Sequence, residues 1–164
     1  RYRAHKSEGN VIIYCNHGFV AGASLVHPHS QVVVVPREIP LDTLVREPVV
    51  NIVEENEYEV SYCPDFSEWP YEMWLAPKKE GTHFGETTDE ELPFLALALQ
   101  SAIRKLAATR KDKPFGYNFS ISHYSNWFLR IIPRFVDRAG FELGTGLNVN
   151  VVDPAEAAEK LRKI

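Results

Sequence analysis

Apolar and polar positions divide the chain into short strand-like runs around one long helical stripe. Val11-Ile12-Ile13-Tyr14-Cys15 is β-branched and apolar and ends in the turn residues Asn16-His17-Gly18, which predicts a buried strand followed by a loop. The loop runs from Asn16 to Ser24, and His27-Pro28-His29-Ser30-Gln31 then leads into Val32-Val33-Val34-Val35, a second buried strand stopped by Pro36. Three prolines (Pro36, Pro40, Pro48) suit the next stretch to a connector rather than a long helix. Glu57 to Cys63 and Tyr71 to Ala76, punctuated by Pro64-Asp65 and Trp69-Pro70, predict a strand pair.

Thr88 or Asp89 then caps a helix whose apolar residues Leu92, Leu95, Leu99, Ile103 and Leu106 recur every three or four positions, one stripe for burial. Thr88-x-x-Glu91 is a capping box, Pro93 is tolerated near the first turn, and Lys105, Arg110 and Lys111 suit the negative end of the helix dipole. Tyr117 to Ser122 and Trp127 to Ile132 predict two more strands, joined through His123-Tyr124-Ser125-Asn126. Phe141 to Gly146 leads into Leu147-Asn148-Val149-Asn150-Val151, read as an alternating strand with asparagines on one face. Asp153 caps a last helix with Pro154 at its first position. The expected class is α+β, a mostly antiparallel sheet with one long helix packed on it and a short C-terminal helix.

Composition narrows this without redirecting it. At 164 residues the chain is the size of one domain, and its 45% hydrophobic and 12% aromatic content is that of a folded protein. Lys and Arg number 18 against 22 Asp and Glu, a net charge of −4 with no basic run, which argues against phosphate-backbone binding to nucleic acid. No apolar stretch approaches the ~20 residues of a membrane helix and no signal peptide opens the chain, so a soluble, cytoplasmic protein is expected. Cys15 and Cys63 are too few for a disulfide framework and are read as buried thiols. The basic start, Arg1, Arg3 and Lys6 without a Met, reads as a helix end at a cut edge.

The sharpest chemistry lies in His27-Pro28-His29-Ser30-Gln31. On an extended strand His27, His29 and Gln31 share one face, with Ser30 opposite. A neutral imidazole can attack phosphorus, giving a phosphoramidate that a second phosphate displaces, and Gln31 can donate to a phosphate oxygen. Gly18, Gly22 and Ala23 let backbone approach phosphates closely, Ser24 adds a hydroxyl and Asn16 an amide. Spacing alone leaves metal binding by the His-x-His pair, catalysis, and neither equally open.

The order Asn16-x-Gly18-x-x-x-Gly22-x-Ser24-x-x-His27-Pro28-His29-x-Gln31 resembles the active-site loop and strand of galactose-1-phosphate uridylyltransferases, a branch of the histidine triad superfamily. Trp69-Pro70-Tyr71-Glu72, Tyr117-Asn118-Phe119, Ile132-Pro133-Arg134, Ala139 through Gly146 to Asn150, and Pro154-x-Glu156-Ala157-Ala158 are similar to the second half of that family in the same order. The resemblance implies a histidine-triad-like fold in which residues 1–36 end a first half, 37–56 connect, and 57–164 form a second half. It implies ping-pong transfer in galactose metabolism: His29 takes a uridylyl group from UDP-glucose, releases glucose 1-phosphate and passes the group to galactose 1-phosphate. Gln31 would hold a phosphate oxygen, with Asn16, Gly22 and Ser24 at the phosphates. The hexose would meet Phe141, Leu143 and Thr145 within Phe141 to Gly146. His27 would match a histidine that ligates structural zinc in many members, and the partners would be a nucleotide sugar, a hexose 1-phosphate and a second copy in a homodimer.

The other zinc ligands and much of the uridine pocket belong to a family segment expected before Arg1. Asn126-Trp127-Phe128 stands where many members carry a second His-x-His pair, so no second metal is expected there. His123 and His83 read as loop histidines, Trp69, Tyr71 and Trp74 as core and strand edge, and Glu72 and Glu142 as unpaired. Related alternatives are a phosphorylase or adenylyltransferase acting on ADP-glucose or dinucleoside polyphosphates. Rivals of another class are a non-catalytic nucleotide-binding or dimerisation module and a metal-binding β protein using His27 and His29.

Overall fold

The computed structural model describes residues 9–41, 44–110, 115–122 and 124–164. Seven strands form one antiparallel sheet: β1 (Asn10–His17), β2 (Ser30–Val35), β3 (Ile52–Glu55), β4 (Glu59–Tyr62), β5 (Met73–Pro77), β6 (Tyr117–Ile121) and β7 (Leu129–Pro133). Their lateral order is β2-β1-β6-β7-β5-β4-β3, so strands from both ends of the chain share one sheet. β1 carries β2 on one side and β6 on the other, with Ile13 opposite both Val32 and Ile121.

The helices are α1 (Leu92–Ala108), a six-residue α2 (Gly140–Thr145) and α3 (Pro154–Arg162). Buried residues of α1 and α3, Leu106 and Leu161 among them, join Cys15, Leu75, Leu129 and Ile131 in one core on one face of the sheet. Alternation then sends Tyr14, Asn16, Asn118, Ser120 and Arg130 to the other face. On that face Val60, Tyr62, Trp74, Ala76 and Phe128 make a second, smaller cluster over β4, β5 and β7.

The local signals are present near both helix starts, but α1 begins at Leu92 with Glu91 at its N-cap, a turn later than the Thr88 or Asp89 cap expected. Thr88 N donates to Glu91 Oε2 at 2.7 Å while Glu91 N donates to Thr88 Oγ1 at 3.3 Å, a reciprocal box one turn ahead of α1. Asp153 Oδ1 accepts from Ala155 N and Glu156 N at 2.8 and 3.2 Å, capping α3.

Several expectations need correction. β3 occupies 52–55, within the span read as connector. β2 begins at Ser30, so His27, Pro28 and His29 precede the strand. The stretch Leu147 to Val151 is not a strand: Gly146 (φ 74°) ends α2 and turns the chain, and Asn150 then spends its side chain on Ser67 O (2.9 Å) and Val152 N (3.1 Å). Arg1, Arg3, Lys6, Lys111 and His123 lie outside the described residues.

Candidate active site

β1 and β2 are joined by a loop whose two glycines permit its shape. Gly18 (φ 82°) opens a 3-10 turn over Phe19–Ala21 and Gly22 (φ 79°) closes it, Gly22 N donating to Phe19 O at 3.0 Å. A Cβ on Gly22 would meet nothing within 4 Å, so conformation and not crowding asks for glycine there. The chain returns past exposed Ser24 and His27 to half-buried His29.

Register brings the expected residues together. Tyr14 pairs with Gln31 and Cys15 with Ser30, so one step further Asn16 stands across from His29. On the other side of β1, Asn16 pairs with Asn118 and Tyr14 with Ser120. His29, Gln31 and Asn16 thus gather at one end of the sheet, at the edge where β2 lies. Cys15, between Tyr14 and Asn16, points into the core, where burial pushes its thiol pKa up; it is a packing residue and not a nucleophile.

Each polar head has a defined partner. His29 Nδ1–H donates to His27 O at 3.0 Å, which in the neutral imidazole places the lone pair on Nε2. The His27 and His29 rings lie 5.1 Å apart between centroids. Tyr14 Oη donates to Gln31 Oε1 at 3.0 Å. Asn118 Nδ2 donates to Asn16 Oδ1 at 2.8 Å and to Ala21 O at 2.9 Å, tying the turn to the sheet. Such a set can present one imidazole nitrogen and two amide –NH2 groups to a phosphoryl group.

Other expected residues are not brought there. Phe141, Leu143 and Thr145 sit on α2, exposed, and Thr145 Oγ1 donates to Phe141 O at 2.7 Å. Among the described residues no hydrogen bond or ring contact joins α2 to His29, Gln31 or Asn16. Glu142 accepts from Ala139 N at 3.0 Å while Glu72 is buried against Arg130, so the two carboxylates form no pair. Trp74 stacks on Phe128 at 3.9 Å and Trp69 lies under Arg134 (4.7 Å), both as packing residues. His83 N accepts its place in a local cap, donating to Glu86 Oε2 at 2.9 Å.

Of the zinc site that the family resemblance implies, this chain was expected to supply His27 alone. Among the described residues no group of three or more His, Cys, Asp or Glu could hold a metal ion, and His27 alone does not make a site. Asn126 and Phe128 line a cavity of about 350 Å³ with Arg46, Ser122 and Tyr124, a set without an imidazole, thiolate or carboxylate donor. Tyr14 and Asn118 are the site residues that the sequence did not reveal. The signal for Tyr14 was its position two before Asn16 on a strand, which puts both on one face.

An antiparallel sheet with its helices on one face and a His-Pro-His-x-Gln segment entering an outer strand is a histidine-triad-like fold. A HIT-like protein from Bartonella henselae shares this fold, with a TM-score of 0.52 at 16% identity over 71% of this chain and 87% of that one. In sequence the chain is similar to two named enzymes. It is 27% identical to ADP-glucose phosphorylase of Arabidopsis thaliana over 98% of this chain and 53% of that protein. It is also 27% identical to galactose-1-phosphate uridylyltransferase of Thermotoga maritima over 93% of this chain and 59% of that protein. The crystal structure of the Arabidopsis phosphorylase with bound ADP-glucose matches with a TM-score of 0.81 at 26% identity, covering 94% of this chain and 59% of that one. No family model matches. The chain thus spans between half and three fifths of the curated relatives' length. Among the described residues no helix is long and apolar enough to cross a membrane.

Proposed function

We propose that the chain carries the nucleotidyl-transfer machinery of a nucleotide-sugar enzyme, with His29 as the nucleophile. The observation that carries this reading is the His29 Nδ1–His27 O bond, because it leaves Nε2 unprotonated and able to attack. The Nε2 lone pair forms a bond to the phosphorus of the nucleoside monophosphate unit. The bond from that phosphorus to the bridging oxygen breaks, and a hexose 1-phosphate leaves with the electron pair. The Nδ1 proton stays on the ring, shared with His27 O, while the nitrogen carries the phosphoramidate. An oxygen of an incoming phosphate then attacks, the N–P bond breaks, and the imidazole is regenerated. Gln31 and Asn16 would donate to the phosphoryl oxygens as charge builds on them, with Gly22 and Ser24 at the remaining phosphate.

The finer reading takes UDP-glucose as donor and galactose 1-phosphate as acceptor, in galactose metabolism. A second reading, favoured by the similarity to ADP-glucose phosphorylase over 98% of this chain, takes ADP-glucose as donor and inorganic phosphate as acceptor. Both share the His29 step. The hexose contacts at Phe141, Leu143 and Thr145 would come from a second copy in a homodimer, since Phe141 and Leu143 are 54% and 74% exposed on α2 and unconnected to His29 in their own chain. Residues 1–36 and 57–164 would then be parts of two histidine-triad-like halves sharing one sheet.

The test is to incubate the protein with UDP-glucose and, separately, ADP-glucose, each labelled in the phosphate next to the nucleoside, and to follow acid-labile label on the protein by mass spectrometry. Label at His29, absent in His29→Ala, is the expected result. Absence of label with both donors would remove the transfer reading and favour a nucleotide-binding module.

A further inference from the structure

An amide can offer a ligand either its oxygen or its –NH2, and phosphoryl oxygens accept hydrogen bonds but do not donate them. Gln31 and Asn16 serve a phosphoryl group only if their –NH2 ends face it. Each amide oxygen is already engaged by a donor on the neighbouring strand. Tyr14, directly opposite Gln31 in the β1–β2 register, donates its hydroxyl to Gln31 Oε1 at 3.0 Å. Asn118, directly opposite Asn16 in the β1–β6 register, donates to Asn16 Oδ1 at 2.8 Å and is itself anchored by Ala21 O at 2.9 Å.

We infer that Tyr14 and Asn118 are positioning residues for nucleotidyl transfer, each holding an amide of the site with its oxygen turned away so that Gln31 Nε2 and Asn16 Nδ2 are preorganised donors to the phosphoryl group. The donors' use rests on the nucleotidyl-transfer reading; their orientation does not. Donors fixed before reaction need no reorganisation as charge develops, which is where such groups act most strongly. Both supports come from regular strands and not from loops, so their positions are set by ladder hydrogen bonds.

Tyr14→Phe keeps the ring and its packing and deletes the donor. Its thermal midpoint is expected to match wild type, while the single-turnover rate of His29 labelling falls roughly 10-fold, short of the ~100- to 1000-fold that follows loss of a whole oxyanion donor. The concentration of nucleotide sugar giving half-maximal rate should move much less than the rate. Side-chain 15N relaxation supplies a readout free of activity: the Gln31 –NH2 is expected to be ordered in wild type and averaged in Tyr14→Phe. Asn118→Asp offers Asn16 an acceptor in place of a donor, so the Asn16 amide turns round and labelling slows likewise. An equally ordered Gln31 –NH2 in wild type and Tyr14→Phe, or equal labelling rates in the two, would overturn the inference. If wild type takes no label at all, the transfer reading fails, and the relaxation comparison alone decides the orientation.

Discussion

Glu59 is the residue at which burial and charge are most at odds. It is 2% exposed at the start of β4, and its Oε2 is buried without a hydrogen-bond partner. Burial first, and then the charge of Glu91, push its pKa up from 4.5 to about 7, against the pull of Arg46. Arg46 does not close the gap: its Nη2 donates to Pro77 O at 2.9 Å and its Nη1 is also buried and unpartnered. Below pH 4.5 the carboxyl is neutral in both folded and unfolded chains, so it imposes no electrostatic penalty. Between pH 4.5 and 7 the unfolded chain ionises first, so folding stability falls as pH rises, and above 7 the loss is complete, on the order of 3 kcal/mol. Glu59→Gln is therefore expected to match wild type near pH 4 and to exceed it at pH 8 in urea denaturation. A constant difference between the two proteins across that range would contradict the assignment. Cys63 shows the same physics without the consequence: burial pushes its thiol up to about 12, so it stays protonated and inert at neutral pH.

At the scale of elements, the junction of β5 and β7 is held by a polar network facing away from the helices. Trp74 and Arg130 are register partners, and Arg130 Nε donates to Glu72 Oε1 at 2.6 Å while its Nη2 reaches Glu72 Oε2 at 3.0 Å and Glu68 Oε2 at 2.7 Å. Trp74 Nε1 donates to Glu72 Oε1 at 2.7 Å and Glu68 N to Glu72 Oε2 at 3.1 Å. Burial works to lower the Arg130 pKa, and Glu72 and then Glu68 outweigh it, holding the guanidinium above its ordinary value. With Glu72 1% exposed, Arg130→Ala strands a buried carboxylate and is expected to cost about 3–5 kcal/mol. Adding Glu72→Gln to that variant should recover part of the loss in chemical denaturation, and a double variant no better than the single one would contradict this account. Strands and helices with a strong local pattern, β1, β2, α1 and α3, were legible in the sequence because a β-branched apolar run, a 3.6-residue stripe or a cap specified them, but β2, expected to be buried, lies at an exposed sheet edge. β3 was not, because Ile52–Glu55 is four residues long beside a proline-rich stretch. Leu147 to Val151 alternates like a strand but finds no ladder partner. Of the candidate site, His29, Gln31 and Asn16 could be singled out from the motif in the sequence. Their interactions with Tyr14 and Asn118 were not, since those depend on pairing across the sheet between residues 17 and 102 positions apart.

Among the described residues of the whole molecule, the lateral order leaves two sheet edges, and their side chains protect them unequally. β3 is interrupted by a register shift between Ile52 and Glu54, carries two glutamates, and has its Ile52 carbonyl taken by Arg162 of α3 at 2.5 Å. β2 has an uninterrupted ladder to β1, no charged residue from Ser30 to Val35, and Val32 and Val33 40% and 41% exposed. An apolar, regular edge of this kind is a template for pairing with another strand, whereas charge and bulges discourage it. The strand so exposed is also the one that His29 leads into, so pairing there would crowd the approach to His29. Val33→Lys places a charge on this edge while leaving the β1–β2 ladder and the His29 loop intact. Light scattering across a concentration series is expected to show the mass of wild type growing with concentration and that of Val33→Lys not doing so, with the rate of His29 labelling per chain falling at high concentration in wild type alone. The same growth in both proteins would place association elsewhere on the surface, and β2 would then be an edge guarded by something other than its side chains.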